Sequence, residues 1–474
     1  MQASIFNLRV PVANDEVFLM NTLTDAQIVV SQDVIALLDR IHTGGRAHTG
    51  EEHDAAALLE EHGFLVESRL ADRNRLERHL GEVKRDSDEL HVTILTTLQC
   101  NFACDYCFQG DHGDYNERAE RMSLDTAGRV ARWIERELDR VRPERLVVTF
   151  FGGEPLLNLP VMYFLAERLF AAASERRVRP VMNIITNGLL LSPEIVDRMV
   201  PLGLNGIKIT LDGERDVHNR MRPLRGGQGT FDRIIENVGR VAGKCRIAIG
   251  GNFDESSVES FPALLDFLKA QDFADKLSKV NFKPIIRTEP VSAKGIIPLT
   301  PVSSSVAAKD AFKGTCMTSV GSGAGKACDS CNILDDKLTE LRGQTRRLGF
   351  PTHDGVHNGP CHVHKQHAHT IGPDGSLYAC PGFTGQLAMS TGHIDDRRDS
   401  WRESALERFN TLHPWKECGD CAFIPVCAGG CVAASYSQLG DMNTPTCHKQ
   451  TFESAVIALA HDVASKQAHS PTVA

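Results

Sequence analysis

Nothing in this 474-residue chain approaches roughly 18 consecutive apolar residues, so no membrane-spanning helix and no membrane partner are expected. Basic charge is not in excess: 52 Lys and Arg stand against 61 Asp and Glu, a formal net charge of −9. No Lys/Arg-rich block or basic stripe offers itself to a phosphate backbone, which argues against a nucleic-acid partner. The opening residues, MQASIFNLRVPVAN, lack the charged start and long apolar core of a secretory signal. A cytoplasmic protein is therefore expected, and no internal repeat is visible. With 42% hydrophobic residues the chain can bury sizeable cores, in about two to four domains by its length. What it has in quantity is cysteine, fourteen in all. Without an export signal these do not read as a disulfide scaffold, and clustered thiols in a reducing compartment read as metal ligands.

Thirteen of the fourteen fall into three groups, at 100–107, 316–331 and 361–447. Cys245 stands apart at the start of the run Cys245–Ile249, where a buried structural thiol is expected. The first group, CNFACDYC, places Cys100, Cys104 and Cys107 at C-x3-C-x2-C directly after a strand-like apolar run. Thiolates hold iron–sulfur clusters, and a [4Fe–4S] cube has four irons to ligate, so three protein ligands leave one iron open. Zinc suits this triad poorly, because it prefers four ligands with C-x2-C knuckles in pairs.

Apolar runs near 91–97, 146–151, 181–186, 206–211, 246–250 and 280–286 alternate with amphipathic stretches. One such stretch starts at a plausible N-cap, Ser123, and continues through Leu124, Ala127, Val130, Ile134 and Leu138 at helical spacing. Six β/α units in sequence predict an α/β fold, a partial (β/α)6 TIM-like barrel over 88–290. Functional loops of such barrels lie at the C-terminal ends of the strands, where Cys100–Cys107 fall. Residues 1–85 form a small α+β unit of their own: strand-like runs Phe6–Val12, Glu16–Met20 and Gln27–Val30, then helical Gln32–Ile41 and Glu51–His62, then the charged stretch Arg69–Arg85. Residues 291–355, rich in Gly, Ser and Thr, read as a bridging segment. Residues 356–460 hold the last cysteine group, and 461–474 read as a tail, disordered from about 466.

Two further motifs sit at strand ends. FFGGEP brings Gly152, Gly153 and Glu154 together, where glycines allow close backbone approach to a ligand. ITLDGERDVHNRMRP carries Thr210 and Arg222, and ITNG carries Asn187. With the triad and Tyr106 just before its last cysteine, these segments resemble the radical S-adenosylmethionine (SAM) enzymes, specifically the peptide-modifying members. In that family the open iron chelates the amino and carboxylate groups of SAM, and reductive cleavage gives a 5′-deoxyadenosyl radical. The resemblance implies that Cys100, Cys104 and Cys107 hold the cluster and that Gly152, Gly153 and Glu154 bind the methionyl amino group. It further implies that Thr210 and Arg222 hold the SAM carboxylate, a task suited to a bidentate guanidinium, with Tyr106 and Asn187 nearby.

The last group, with Cys361, Gly375 and Cys380, then Cys418, Cys421, Cys427, Cys431 and Cys447, resembles the SPASM domain, which carries two auxiliary iron–sulfur clusters. That resemblance implies one cluster, of the [4Fe–4S] type, on Cys418, Cys421, Cys427 and Cys447, and another on Cys361, Cys380 and Cys431. A fourth ligand for the second could come from Cys316, Cys328 or Cys331, or one iron stays open. A double zinc ribbon is the other reading of these seven cysteines. The histidines His353, His357, His362, His364, His367 and His369 read as a solvated loop, and the CDSC pair Cys328–Cys331 as ligand or structural thiols rather than a redox pair.

Most SPASM proteins modify ribosomal peptides or proteins. Residues 1–85 resemble the RiPP recognition element, a winged-helix-like module that captures leader peptides, here by strand addition; a plain structural cap is the other reading. The combination implies a maturase that crosslinks a precursor peptide, often through a thioether, with a flavodoxin or ferredoxin as electron donor. The sulfatase maturases, which form formylglycine, carry an aspartate after the cysteine matching Cys380, where this chain has Pro381. A non-enzyme alternative is a multi-cluster electron carrier or a zinc-dependent interaction protein.

Overall fold

The strand EVFLM near the N-terminus lacks alternation because both of its faces are covered. In a computed structural model, which describes residues 1–104, 106–107, 120–285, 329–352, 356, 359–396, 403–447 and 449–469, the chain opens with four strands. These are β1 (Gln2–Ala3), β2 (Asn7–Pro11), β3 (Glu16–Asn21) and β4 (Ala26–Ser31), and β2-β3-β4 form an antiparallel sheet. Leu19 of β3 clusters with Leu37, Leu38 and Ile41 of helix Gln32–His42 and with Leu59 of helix Gly50–Glu61. On the opposite face, Phe18 and Met20 cluster with Phe423, Val426, Ala455 and Val456 from the far end of the chain. A short β5 (Leu65–Val66) pairs with β1.

The charged stretch that follows is a helix, Arg69–Arg85, capped by Ser68, whose hydroxyl accepts from the Ala71 amide at 3.1 Å. Its charges are spent on docking. Arg69 and Arg73 both pair with Asp420, and Lys84 donates to the Asn410 carbonyl. The Thr22 hydroxyl donates to the Ala422 carbonyl. The N-terminal unit thus sits on the C-terminal cysteine region.

Six parallel strands follow: β6 (Glu89–Thr97), β7 (Arg145–Gly152), β8 (Arg179–Thr186), β9 (Leu204–Thr210), β10 (Arg246–Phe253) and β11 (Leu277–Pro284). They lie side by side in chain order, as the six apolar runs predict. Every second residue faces the surrounding helices. Val92, Ile94, Val148, Ile184, Ile207, Ile209, Ile247, Ile249 and Val280 are at most 1% exposed and share one core. Each such side chain contributes roughly 1.5–3 kcal/mol on burial. Ser123 caps helix Leu124–Val141 as expected, accepting from the Thr126 amide at 3.0 Å. Residues 155–175 are long and apolar enough by composition to cross a membrane. In the fold this segment is a barrel helix with Val161, Met162, Leu165, Ala166 and Leu169 buried in the core.

β6 has a second neighbour. β12 (Ala368–Ile371) pairs with it in parallel, in register His369↔Val92, and β13 (Ser376–Tyr378) and β14 (Gly392–His393) extend the row antiparallel. The C-terminal region therefore adds three strands to the barrel sheet, making nine in all.

Four expectations change. Helix Asp329–Arg347 occupies much of the bridging segment and buries Leu338 and Leu341 in the barrel core. Helix Lys449–His469 runs through most of the expected tail, because Ala455, Val456 and Ala460 pack against β2 and β3; residues 470–474 lie outside the described residues. The histidines are not one solvated loop, since His369 lies in β12 with its ring edge-on to Trp133 at 5.1 Å. Cys245 is only half-buried, against the barrel core, and burial pushes its thiol up to about 11. Cys316, Cys328, His353, His357 and the side chain of Cys331 lie outside the described residues.

Candidate functional site

The triad loop leaves β6 and is stitched down at both ends. The Leu98 amide donates to the Glu120 carbonyl at 2.9 Å, and Phe102, 1% exposed, bridges Leu224. The Ala103 amide reaches the Pro223 carbonyl at 2.9 Å, and the Arg225 amide the Asn101 carbonyl at 3.1 Å. The segment after Arg222 thus serves as a strap for the cysteine loop. Burial pushes the Cys100 thiol up to about 12, despite a hydrogen bond from the Phe102 amide; Glu154, Cys104 and Cys107 are the charges near enough to add to it. Cys104 and Cys107 thus lie near Cys100 on one loop. Cys104 and Cys107 are, like Cys100, partly exposed.

The glycines of FFGGEP have a structural reason. Gly152 has φ +133, and a Cβ there would stand 2.2 Å from the Thr97 carbonyl oxygen; one on Gly153 would stand 2.2 Å from that of Gln99. The Gly153 and Glu154 amides donate to these same carbonyls at 3.0 and 2.8 Å. What the bare backbone approaches is the cysteine loop itself. Gly153→Ala is therefore expected to displace that loop and destabilise the fold by about 1–3 kcal/mol, the range for overpacking, read as a lowered denaturation midpoint and reduced iron uptake.

Glu154 is completely buried, and both carboxylate oxygens are occupied. One accepts from the Leu156 amide at 2.9 Å and the Thr186 hydroxyl at 2.8 Å, the other from the Asn187 amide at 2.8 Å. Burial raises its pKa, and these hydrogen bonds oppose that rise. Glu154 so ties β7 to β8. The Asn187 amide group donates to Asn101 at 2.7 Å and lies 3.9 Å from the Cys100 sulfur. Thr210 lies half-buried at the end of β9.

Around Arg222 the structure shows a network that the sequence reading missed. Asp212, fully buried, accepts from the Tyr106 hydroxyl, from Arg222 at 3.3 Å and from the Asn252 amide at 2.6 Å. Arg222 also donates to the Tyr106 hydroxyl at 2.5 Å, and its guanidinium carbon lies 5.6 Å from the Phe102 ring centre. Burial works against the Arg222 charge, but Cys104, Tyr106 and Asp212 more than offset it. Its Nε is buried without a partner. His218 accepts the Asp212 amide at 3.1 Å and faces Thr230 at 3.1 Å; burial keeps its pKa well below the usual value, so it is neutral. The spacing D-x5-H-x3-R in one short segment was the available signal.

The C-terminal cysteines form two neighbourhoods. Burial pushes the Cys380 thiol up to about 12, with Cys361 and Cys431 as its charged neighbours. Burial does the same for Cys418 and Cys427, each to about 12. Cys421 and Cys447 neighbour both of these thiols. Among the described residues, no three Cys, His, Asp or Glu side chains converge on one point as a single ion would require.

A mostly parallel α/β sheet with a three-cysteine loop at its strand ends defines the class. Residues 94–267 match the family model of the radical SAM superfamily, and the chain carries a radical SAM domain. That family uses SAM and a [4Fe–4S] cluster. Among characterised proteins, the chain is 36% identical over 151 residues to GTP 3',8-cyclase of Synechococcus sp. (strain WH7803), covering 31% of this chain and 41% of that protein. It is 23% identical over 199 residues to the radical SAM cyclopropyl synthase TigE of Paramaledivibacter caminithermalis, covering 37% of this chain and 41% of the relative. The chain thus spans less than half the length of these relatives. A solved structure of native anSMEcpe with bound AdoMet and Cp18Cys peptide matches with TM-score 0.55 and 15% identity, over 80% of this chain and 99% of that one. At that identity the likeness is one of fold.

Proposed function

We propose that this chain is a radical SAM peptide maturase that modifies a ribosomally made precursor peptide, forming a thioether or another crosslink. The observation that carries the reading is the triad loop strapped by residues 223–225 and backed by the Tyr106–Asp212–Arg222 network, on the same chain as two further cysteine neighbourhoods. The donor set fits the group: three soft thiols gathered in one partly exposed loop can hold a [4Fe–4S] cluster with one iron open. When bound, that cluster supplies the electron that cleaves SAM. Arg222 offers a guanidinium, fixed by Asp212 and Tyr106, to the SAM carboxylate; Gly152, Gly153 and Glu154, with Thr210 and Asn187, complete the cofactor rim. In this reading the barrel positions the peptide and limits the access of water to a reactive carbon radical.

Cys418, Cys421, Cys427 and Cys447 are assigned to one auxiliary cluster and Cys361, Cys380 and Cys431 to the other, as a SPASM domain over 356–460. A peptide substrate is supported by the likeness in fold to a protein solved with a bound peptide. The N-terminal unit, residues 1–85, offers the outer edge of β4, which pairs with no other described strand, for addition of a leader peptide. A flavodoxin or ferredoxin serves as electron donor, and the setting is cytoplasmic. The sulfatase-maturase reading shares the fold but has Pro381 where its base would stand.

Protein reconstituted under anaerobic conditions is expected to hold three clusters, about twelve irons with matching sulfide, and to release 5′-deoxyadenosine from SAM on reduction. Iron for one cluster only, alongside stoichiometric zinc, would replace the auxiliary clusters with a zinc ribbon. Intact SAM under reduction would leave the electron-carrier reading. Co-expression with short open reading frames beside the gene, followed by mass spectrometry of the peptide, tests the modification itself.

A further inference from the structure

The lumen of the barrel carries positive charge that the cofactor site does not use. Along β9, Ile207 and Ile209 are at most 1% exposed against the helices, so Lys208 between them lies on the opposite, lumen face and is exposed there. Strand register sets Lys208 beside Ala248 and Ala248 beside Lys279, one row across three strands. Lys283 occupies the same face of β11, paired with Asn252, which contacts Tyr106 and Asp212. Room for these side chains is made by Gly250, where a Cβ would stand 2.6 Å from Cε of Lys208. Any larger residue there would push Lys208 aside.

Lys208 and Lys283 have no carboxylate within ion-pair distance among the described residues, and the charged groups that reach Lys208 are Lys279 and Lys283. Desolvation by the surrounding strand walls, then the like charges of Lys283 and Lys279, lower the Lys208 pKa to about 8. A chain with a net charge of −9 does not place Lys208 and Lys283 in its lumen through general basicity. Low-dielectric walls lined by one sign of charge concentrate the opposite sign. A carboxylate reaching these lysines would relieve their mutual repulsion and gain charge-assisted hydrogen bonds.

We propose that Lys208 and Lys283 bind an acidic side chain of the substrate peptide and so set which residue faces the cofactor. This rests on the peptide-maturase reading for the source of the carboxylate. The site lies one strand row below Thr210 at Lys208 and level with Asn252 at Lys283, so it spans the depth at which a substrate must sit beneath the triad loop.

The test is a lysine footprint on the full-length reconstituted protein, with saturating SAM and no reductant in every arm. A brief pulse of acetic anhydride labels free amines, and mass spectrometry reads Lys208, Lys283 and, as reference, the surface Lys269. The probes are a synthetic pentapeptide Gly-Ser-Glu-Ser-Gly with blocked ends, its Gln counterpart, and inorganic phosphate. The glutamate peptide is expected to slow labelling of Lys208 and Lys283 at about tenfold lower concentration than the glutamine peptide, the factor for one charge-assisted contact. In Lys208→Gln, protection of Lys283 should need about tenfold more peptide. Preferential protection by glutamate supports the site whether or not phosphate also protects. Equal protection by the two peptides, protection by phosphate alone, or none overturns it. No turnover is involved, so a failed footprint leaves SAM cleavage and peptide modification to be judged by their own assays.

Discussion

The triple variant Cys100→Ala/Cys104→Ala/Cys107→Ala is expected to release no measurable 5′-deoxyadenosine from SAM under reduction, while retaining about eight irons of the reconstituted protein. The two halves of that expectation come from different parts of the structure. The triad sits on the loop after β6, held by Leu98, Phe102 and the strap at 223–225. The seven later cysteines gather around β13 and the turns at 414–431, in neighbourhoods that contain no triad residue. Removing three sulfurs from the first place leaves the second set of thiols untouched. Iron and sulfide assays with chromatographic detection of 5′-deoxyadenosine read both halves. Retained cleavage in the triple variant would end the radical SAM assignment of this loop, and loss of all iron would show that the thiol groups do not assemble independently.

Asp212→Ala is expected to have the next largest effect. The carboxylate is fully buried and is the counter-charge of an arginine that is 8% exposed. Removing one member of a buried pair typically costs about 3–5 kcal/mol, because the remaining charge is left without compensation. The same carboxylate fixes Tyr106, next to Cys107, and the backbone of Asn252 at the end of β10. Misplacing these by about 1 Å is enough for a hundredfold loss of rate. SAM cleavage should therefore fall at least about a hundredfold, with a lower denaturation midpoint. Asp212→Asn, which keeps the shape but not the charge, should recover much of the midpoint and little of the cleavage. A variant Asp212→Ala with normal cleavage would show that Arg222 is held well enough by Tyr106 alone.

Much of this architecture was legible because buried parallel strands announce themselves. Runs such as Leu146–Phe151 and Ile207–Leu211 are apolar on the helix face and β-prone throughout, and the intervening helices show a clear apolar stripe. Helix Arg69–Arg85 hides for the opposite reason: Leu76 is its one buried apolar residue, and much of its docking is charged, through Asp420 and the Asn410 carbonyl far along the chain. β12 spans only Ala368–Ile371, too short for any periodicity to show, and its pairing partner β6 is remote in sequence. The FFGGEP glycines were visible as a place needing bare backbone. That the backbone meets the cysteine loop follows only from the Thr97 and Gln99 carbonyls lying 2.2 Å from where a Cβ would stand. Nothing within LDGE singles out Asp212, since a sequence does not reveal which carboxylate will face a buried arginine.

The bond row between β12 and β6 bears on how far this chain can be taken apart. His369 and Thr370 lie in register with Val92 and Thr93, a few residues before the chain turns into the triad loop, while Cys361 and Cys380 flank β12 and β13. No hinge separates the first thiol group from the Cys361 group; they ride on one pleated surface. Their separation is a structural constant of the protein, as fixed as the spacing between neighbouring strands. A graft that exchanges residues 356–460 for those of a relative would have to rebuild an edge of the barrel as well as supply cysteines.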